Sequence, residues 1–252
     1  MPLRLLPMEL EDCHEWVRIR SIAYRGPTST IVHHRRMSDA SFAKVVEGQK
    51  KEFYEPGTWH WKVVDMDSGE MVAAARWCAQ NFSKSDTEIV RSGSDDTDDN
   101  EPPYIPPEVN VPALSALLGP LRQAGEEIMG ARPYLMLDTL STLPEHQRRG
   151  AGSMILKWGV EKADEMGVEM YLTSSSMARP LYERWGFEVV RELQFDRTPW
   201  GGEGVDRHTC MLRKPIKGKA PTDHTRGLFI LSNGERDQHG GDPCVCSPGN
   251  PQ

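Results

Sequence analysis

The sequence predicts an α/β fold: a central mixed β-sheet of about six to seven strands, flanked by helices. Three observations carry this. From residue 134 onward the pattern runs strand, helix, strand, helix, strand, strand, and a strand–helix–strand unit sets its two strands parallel. Upstream, Trp59–Asp65 and Met71–Cys78 alternate on either side of a Ser68-Gly69 turn, which is the pattern of an antiparallel hairpin. Of 252 residues, 38% are hydrophobic and 27% charged, a balance that supports a buried core.

The elements follow in chain order. Leu3 to Leu6 reads as a short strand. Met8 to Asp12 opens a helix on which Cys13, Trp16, Val17, Ile19 and Arg20 are spaced for one buried face. Arg25 to Arg36, with Gly, Pro and the pair His33 and His34, reads as a loop or broken helix. Ser38 to Ser41 caps a helix running to about Phe53. Residues 83–110 are dense in Ser, Asp and Pro and read as a disordered acidic insertion. Val111 to Met129 returns to helical spacing, interrupted at Gly119-Pro120. Tyr134 to Thr142 is a strand, Gln147 to Met166 a helix after a turn, and Val168 to Thr173 a second strand. Met177 to Trp185 is a helix, with Phe187–Asp196 and Val205–Arg213 as closing strands. One domain therefore spans 1–213. Residues 214–252, rich in Gly, Pro, Asn and Asp with a single apolar patch at Leu228–Leu231, form a disordered tail.

The net charge of −7 is mostly local, because 83–110 carries eight acids against Lys84 and Arg91. No basic stripe points to nucleic acid. No apolar run reaches the roughly 20 residues of a membrane span. Met1–Pro7 is too short and proline-broken for a signal peptide. The expectation is a cytoplasmic protein, with a nuclear location left open. Its five cysteines are odd in number and scattered, so reduced thiols are expected. Cys244 and Cys246 lack partners at zinc spacing, and no metal is expected.

The turn Gln147-Arg148-Arg149-Gly150-Ala151-Gly152 runs from a strand into a helix. The first N–H groups of a helix have no intrahelical acceptor, and the helix dipole adds about half a positive charge there. Gly150 and Gly152 let a ligand approach the main chain, Arg148 and Arg149 add cations, and Ala151 and Ser153 keep the turn small. Such turns also arise where a helix simply packs close to a sheet, and the turn alone leaves both readings open. There is no G-x-x-x-x-G-K-[ST] phosphate loop and no G-x-G-x-x-G with a following acid.

Leu140 to Gly152 resembles the central motif of the GNAT superfamily of acyl-CoA-dependent N-acetyltransferases: a strand, then [Q/R]-x-x-G-x-[G/A] opening a helix. Ala178-Arg179-Pro180-Leu181-Tyr182-Glu183-Arg184-Trp185-Gly186-Phe187 resembles that family's second block, A-x-x-L-Y-x-x-x-G-F, at the expected distance. The resemblance covers 3–82 and 111–213 and implies the GNAT fold, with a splayed sheet. It also implies acetyl-CoA as cosubstrate, its pyrophosphate held by Gln147, Arg148, Arg149, Gly150, Ala151, Gly152 and Ser153. The main chain of Leu140, Ser141 and Thr142 would pair with the pantetheine arm. Many members carry Asn at the position of Ser175, so that contact rests on a serine hydroxyl here.

Acyl transfer to an amine needs a neutral amine, a stabilised oxyanion and a protonated leaving thiolate. The resemblance gives the last task to Tyr182, and the oxyanion to a main-chain N–H near Leu140 or Ser141. Asp138 is a charged residue inside the apolar run Tyr134–Leu140. Alternation places it with Leu140 and Thr142, opposite Leu137, Thr139 and Ser141. It is the first candidate base; an Asp paired with a structural Arg is the competing reading. His60, at a substrate cleft or on a solvent face, is second, and His33 and His34 lie where the family builds acceptor pockets. Trp16, Trp61, Trp77 and Trp158 read as packing residues.

The expected activity is acetyl transfer from acetyl-CoA to a primary amine of a small molecule, by direct attack in a ternary complex. Acetylation of a protein lysine or N-terminus is the alternative, and a non-catalytic acyl-CoA-binding module the second. Nucleic-acid and membrane partners are not expected, and a monomer and a homodimer are equally compatible.

Overall fold

The structure is a computed structural model that describes residues 2–82 and 104–216. Most of the acidic insertion, and the tail with Leu228–Leu231, Cys244 and Cys246, lie outside the described residues.

Seven strands form one sheet in the order β1-β2-β3-β4-β5-β7-β6. They are β1 (Leu3–Pro7), β2 (Thr58–Asp65), β3 (Met71–Gln80), β4 (Tyr134–Thr142), β5 (Glu169–Ser175), β6 (Glu188–Asp196) and β7 (Val205–Arg213). The helices are α1 (Cys13–Ala23), α2 (Pro27–Val32), α3 (Asp39–Lys51), α4 (Val111–Met129), α5 (Ala151–Met166) and α6 (Arg179–Arg184). β4 and β5, joined by α5, are parallel, and every other neighbouring pair is antiparallel.

Local chemistry sets the helix ends. The Ser41 N–H donates to the Ser38 hydroxyl to cap α3, and the Ala113 N–H donates to Asn110 Oδ1 to cap α4. α5 ends at Gly167, whose φ of +67° suits a residue without Cβ.

Two expectations need correcting. α4 is continuous through Gly119-Pro120, because Pro120 and Ala116, whose carbonyl loses its partner, are both exposed and water can serve that carbonyl. The expected disorder of 83–110 also ends early. Residues 104–110 are placed, with Val109 bridged to His33 and the buried Glu108 accepting from the Ser38 N–H. Composition marked this stretch as solvated, but a carboxylate with several donors can be buried.

One face of the sheet packs on α5. Trp61, Trp77, Leu135, Leu137, Ile155 and Leu156 lie in this core, with Trp158 against the rings of Trp59, Trp61 and Trp77 at 5.9, 4.9 and 6.1 Å. Gly159 brings the helix so close that a Cβ there would meet Trp77 at 2.3 Å. The other face packs on α1 and α3 through Cys13, Trp16, Ile19 and Ala74, and on α4 through Ala124, Met129 and Tyr171. The tryptophans are packing residues, as read from the sequence.

Two irregularities shape the centre. β4 carries one extra residue, Asp138, between Leu137, opposite Trp77, and Thr139, opposite Arg76. And β4 pairs with β5 only from Tyr134 to Met136, after which the strands part.

Candidate functional site

The turn before α5 presents main-chain N–H groups for which the described residues supply no acceptor. Arg148 has φ +60° and Gly150 has φ +98°, so successive N–H groups converge. Among the described residues no hydrogen-bond acceptor faces the main-chain N–H groups from Arg148 to Ser153, and Gly150 carries no side-chain cap. A Cβ at Gly150 would meet nothing within 4 Å, so the turn opens to solvent, and Arg148 beside it is exposed. Gln147 is exposed as well, with its N–H turned back to Pro144.

Two of the predicted binding residues have a different task. The Arg149 guanidinium donates to Asp65 at 2.7 Å and lies against His146, so it anchors the turn to the end of β2 rather than facing a ligand. Its hydrogen bond is the main reason the Asp65 carboxyl sits below the usual range. Gly152 is small because α6 lies against it: a Cβ would meet Leu181 at 3.0 Å and Leu140 at 3.8 Å. Close packing thus accounts for Gly152, whereas no packing contact accounts for Gly150.

The extra residue in β4 changes the alternation expected from the sequence. Leu140 and Thr142 lie opposite Ala75 and Ala73 on the α5 face, together with Leu137. Asp138 lies on the other face with Thr139 and Ser141, whose hydroxyl is buried near the Ala74 carbonyl. A count of two cannot anticipate a bulge, since the insertion is defined by pairing with β3. Beyond Met136 the main chain of β4 has no partner in β5, which leaves the edge at Leu140 to Thr142 open. Ser175 closes β5 opposite His208 and is exposed.

Tyr182 is buried, edge-on to Phe187 at 6.0 Å, and its hydroxyl has no protein hydrogen-bond partner among the described residues. Burial, with Tyr24 nearby, raises its pKa well above the ordinary phenol value, so it stays protonated. Asp138 faces solvent in the cleft left by the parted strands, with protein crowded around it. That desolvation raises its pKa despite the attraction of Arg76 and Arg20. Among the described residues Asp138 makes no ion pair; Arg76 instead binds Glu52 at 3.0 Å and Glu55 at 2.8 Å.

His60 is neither at a cleft nor on a solvent face. It stacks on Phe53 at 4.4 Å and meets Trp16 edge-on, and burial lowers its pKa to about 4, which keeps it neutral. His33 is half-buried beside Val109 and His34 is exposed, and neither lines the cleft around Asp138. Sequence reasoning missed Tyr24, at the end of α1. It lies close to the Leu140 main chain and within electrostatic reach of Asp138 and Tyr182. A tyrosine at a helix end carries no local signal of this.

Comparison with known proteins fits this geometry. Residues 121–189 match the family model described as "Acetyltransferase (GNAT) domain". An uncharacterised N-acetyltransferase of Escherichia coli (strain K12), YafP, is 34% identical over 65 residues, which is 25% of this chain and 41% of that relative. The chain thus spans about two fifths of that protein's length. The fold resembles a structure described as histone acetyltransferase HPA2 and related acetyltransferase from Corynebacterium glutamicum. Its TM-score is 0.52 at 20% identity, covering 87% of this chain and 100% of that one. It also resembles a polyamine N-acetyltransferase of Drosophila melanogaster, with a TM-score of 0.53 at 12% identity, covering 84% and 100%.

Proposed function

We propose, from the premise that this chain carries an acetyltransferase domain of the GNAT superfamily, that it transfers an acetyl group from acetyl-CoA to a primary amine of a small molecule. The observation that carries the reading is the parting of β4 from β5 directly beside an uncapped α5. An anionic donor and a reacting carbonyl can then be held on one continuous run of main chain.

The residues present suit CoA. Unpaired N–H groups from Arg148 to Ser153 and the exposed Arg148 would hold its pyrophosphate. The open edge of Leu140 to Thr142 would hold the pantetheine arm, and the Leu140 N–H would stabilise developing negative charge. When bound, acetyl-CoA supplies a thioester whose acetyl group is open to attack by a neutral amine. Asp138, on the opposite face, takes the proton that the amine sheds, directly or through water. Its raised pKa makes it a better base than an ordinary aspartate. Tyr182 gives its proton to the departing sulfur, and its raised pKa keeps that proton available.

Calorimetry with acetyl-CoA, together with a thiol-release assay over a panel of amines, tests the reading. Binding plus amine-dependent thiol release is the expected result. Absence of binding removes the donor assignment, and binding without turnover would leave an acyl-CoA-binding module.

A further inference from the structure

β3 and β4 are antiparallel neighbours, which a two-residue turn can join. The chain instead runs through 81–133 between them and lays α4 over the sheet face opposite α5. α4 leaves a cavity of about 660 Å³ beneath it, within the range of small-molecule sites. Leu118, Leu121 and Met129 roof it, and Met136, Asp138 and Tyr171 form its floor. The cavity ends at Asp138 and Thr173, where β4 and β5 have parted, so it meets the reacting cleft from the face away from the α5 turn.

The walls have a definite chemistry. They combine apolar and aromatic side chains with polar ones such as Gln80 and Asn81, and the Tyr171 ring lies edge-on to Tyr134 at 6.1 Å. Among the described residues the Tyr171 hydroxyl is buried without a hydrogen-bond partner, against Gly125, where a Cβ would lie 3.3 Å from it. A glycine inside a helix costs up to about 1 kcal/mol relative to alanine, and here it makes room for that ring. Two carboxylates line the cavity, Asp138 at the inner end and Glu126 on α4, against one cation, Arg122. Such a lining favours a molecule that is cationic at one end and apolar in its body.

We infer that the cavity under α4 is the acceptor pocket, and that it takes a small primary amine on an apolar, ring-sized body with its amino group at Asp138. This rests on the acetyl-transfer reading of the cleft. A peptide is disfavoured because it would have to thread beneath α4, which is packed on α2, β6 and β7.

The test uses 2-phenylethylamine as probe, with spermidine and a lysine-containing peptide as comparators. Binding is followed by calorimetry with and without saturating CoA, and turnover by thiol release. Leu121→Trp should fill the pocket: binding of 2-phenylethylamine should weaken at least tenfold, and its KM rise as much, while the acetyl-CoA Kd stays within twofold. Leu118→Trp, on the same roof, serves if the first variant does not fold. Failure of 2-phenylethylamine to bind the wild type, or equal binding to the filled variant, overturns the pocket assignment. So does a tenfold preference for spermidine or the peptide. Failure of the wild type to bind acetyl-CoA while it still binds the amine would overturn the transferase reading and with it the acceptor role, leaving the cavity an amine-binding site.

Discussion

The Arg149 guanidinium donates to the Asp65 carboxylate at 2.7 Å, joining the turn before α5 to the last residue of β2. Asp65 also accepts from the Asp67 N–H, so one side chain holds both the β2–β3 turn and the turn before α5. Arg149→Ala leaves that buried carboxylate without its cation and should lower Tm by several degrees. Acetyl-CoA affinity should fall less than in Arg148→Ala, which leaves Tm unchanged. A scan of both variants with calorimetry checks this, and the opposite ranking would return Arg149 to the ligand.

The two glycines of the turn should fail differently. At Gly150, φ +98° costs an L-residue about 1–2 kcal/mol, although the space is free. Gly150→Asp adds a negative charge to an anion site, so acetyl-CoA Kd should rise at least tenfold in a folded protein. Gly152→Val meets Leu181 instead and should show its loss first in thermal stability.

Activity should carry the signature of a base with a raised pKa. Asp138 works only when ionised, so kcat falls as pH drops through its pKa, at a higher pH than an ordinary aspartate near 4 would give. Asp138→Asn should abolish that limb and cost roughly 10²–10⁴-fold in kcat. Tyr182→Phe should lower kcat about 10²-fold with acetyl-CoA Kd within twofold. A pH–rate profile of each variant decides, and an unchanged acid limb in Asp138→Asn would transfer the role of base elsewhere.

Acid stability should depend on Glu108. Burial alone would raise its carboxyl, but hydrogen bonds from Ser41, Ser38 and the main chain outweigh that and bring it to about 2, from 4.5. A depressed pKa stabilises the fold fully above about 4.5, and the contribution is lost as pH falls towards 2. Glu108→Gln should lower Tm at pH 7 and flatten its fall between those values. Asp65 adds to the same acid window, so some dependence should persist.

Gly159→Ala inverts the usual helix preference. Alanine favours a helix by up to about 1 kcal/mol, but a Cβ at 2.3 Å from Trp77 forces the core to move. Overpacking of this kind costs about 1–3 kcal/mol, so a lower denaturant midpoint is expected. A higher one would mean that Trp77 yields freely.

These residues show what the sequence made legible. Gly150 and the cap at Ser38 are local signals, because turn and helix-end chemistry depends on a few adjacent residues. The pairing of two blocks at 140–152 and 178–187 extended this to the donor side. What escaped depends on distant partners. The Arg149–Asp65 bond spans 84 residues, the burial of Glu108 needs the start of α3, and the stacking of His60 needs Phe53. The cavity under α4 was invisible for the same reason: spacing along a helix does not say which strands it will cover.

The extra residue at Asp138 has one more consequence. It divides β4 into two separately addressable halves. Side chains at 134, 136 and 138 look toward α4, and those at 140 and 142 look toward α5. Changes at Tyr134 or Met136 can therefore retune what is accepted without disturbing how the donor is held. Deleting Asp138 would restore plain alternation and leave both halves facing as they do, so what the extra residue adds is the carboxylate itself at the junction.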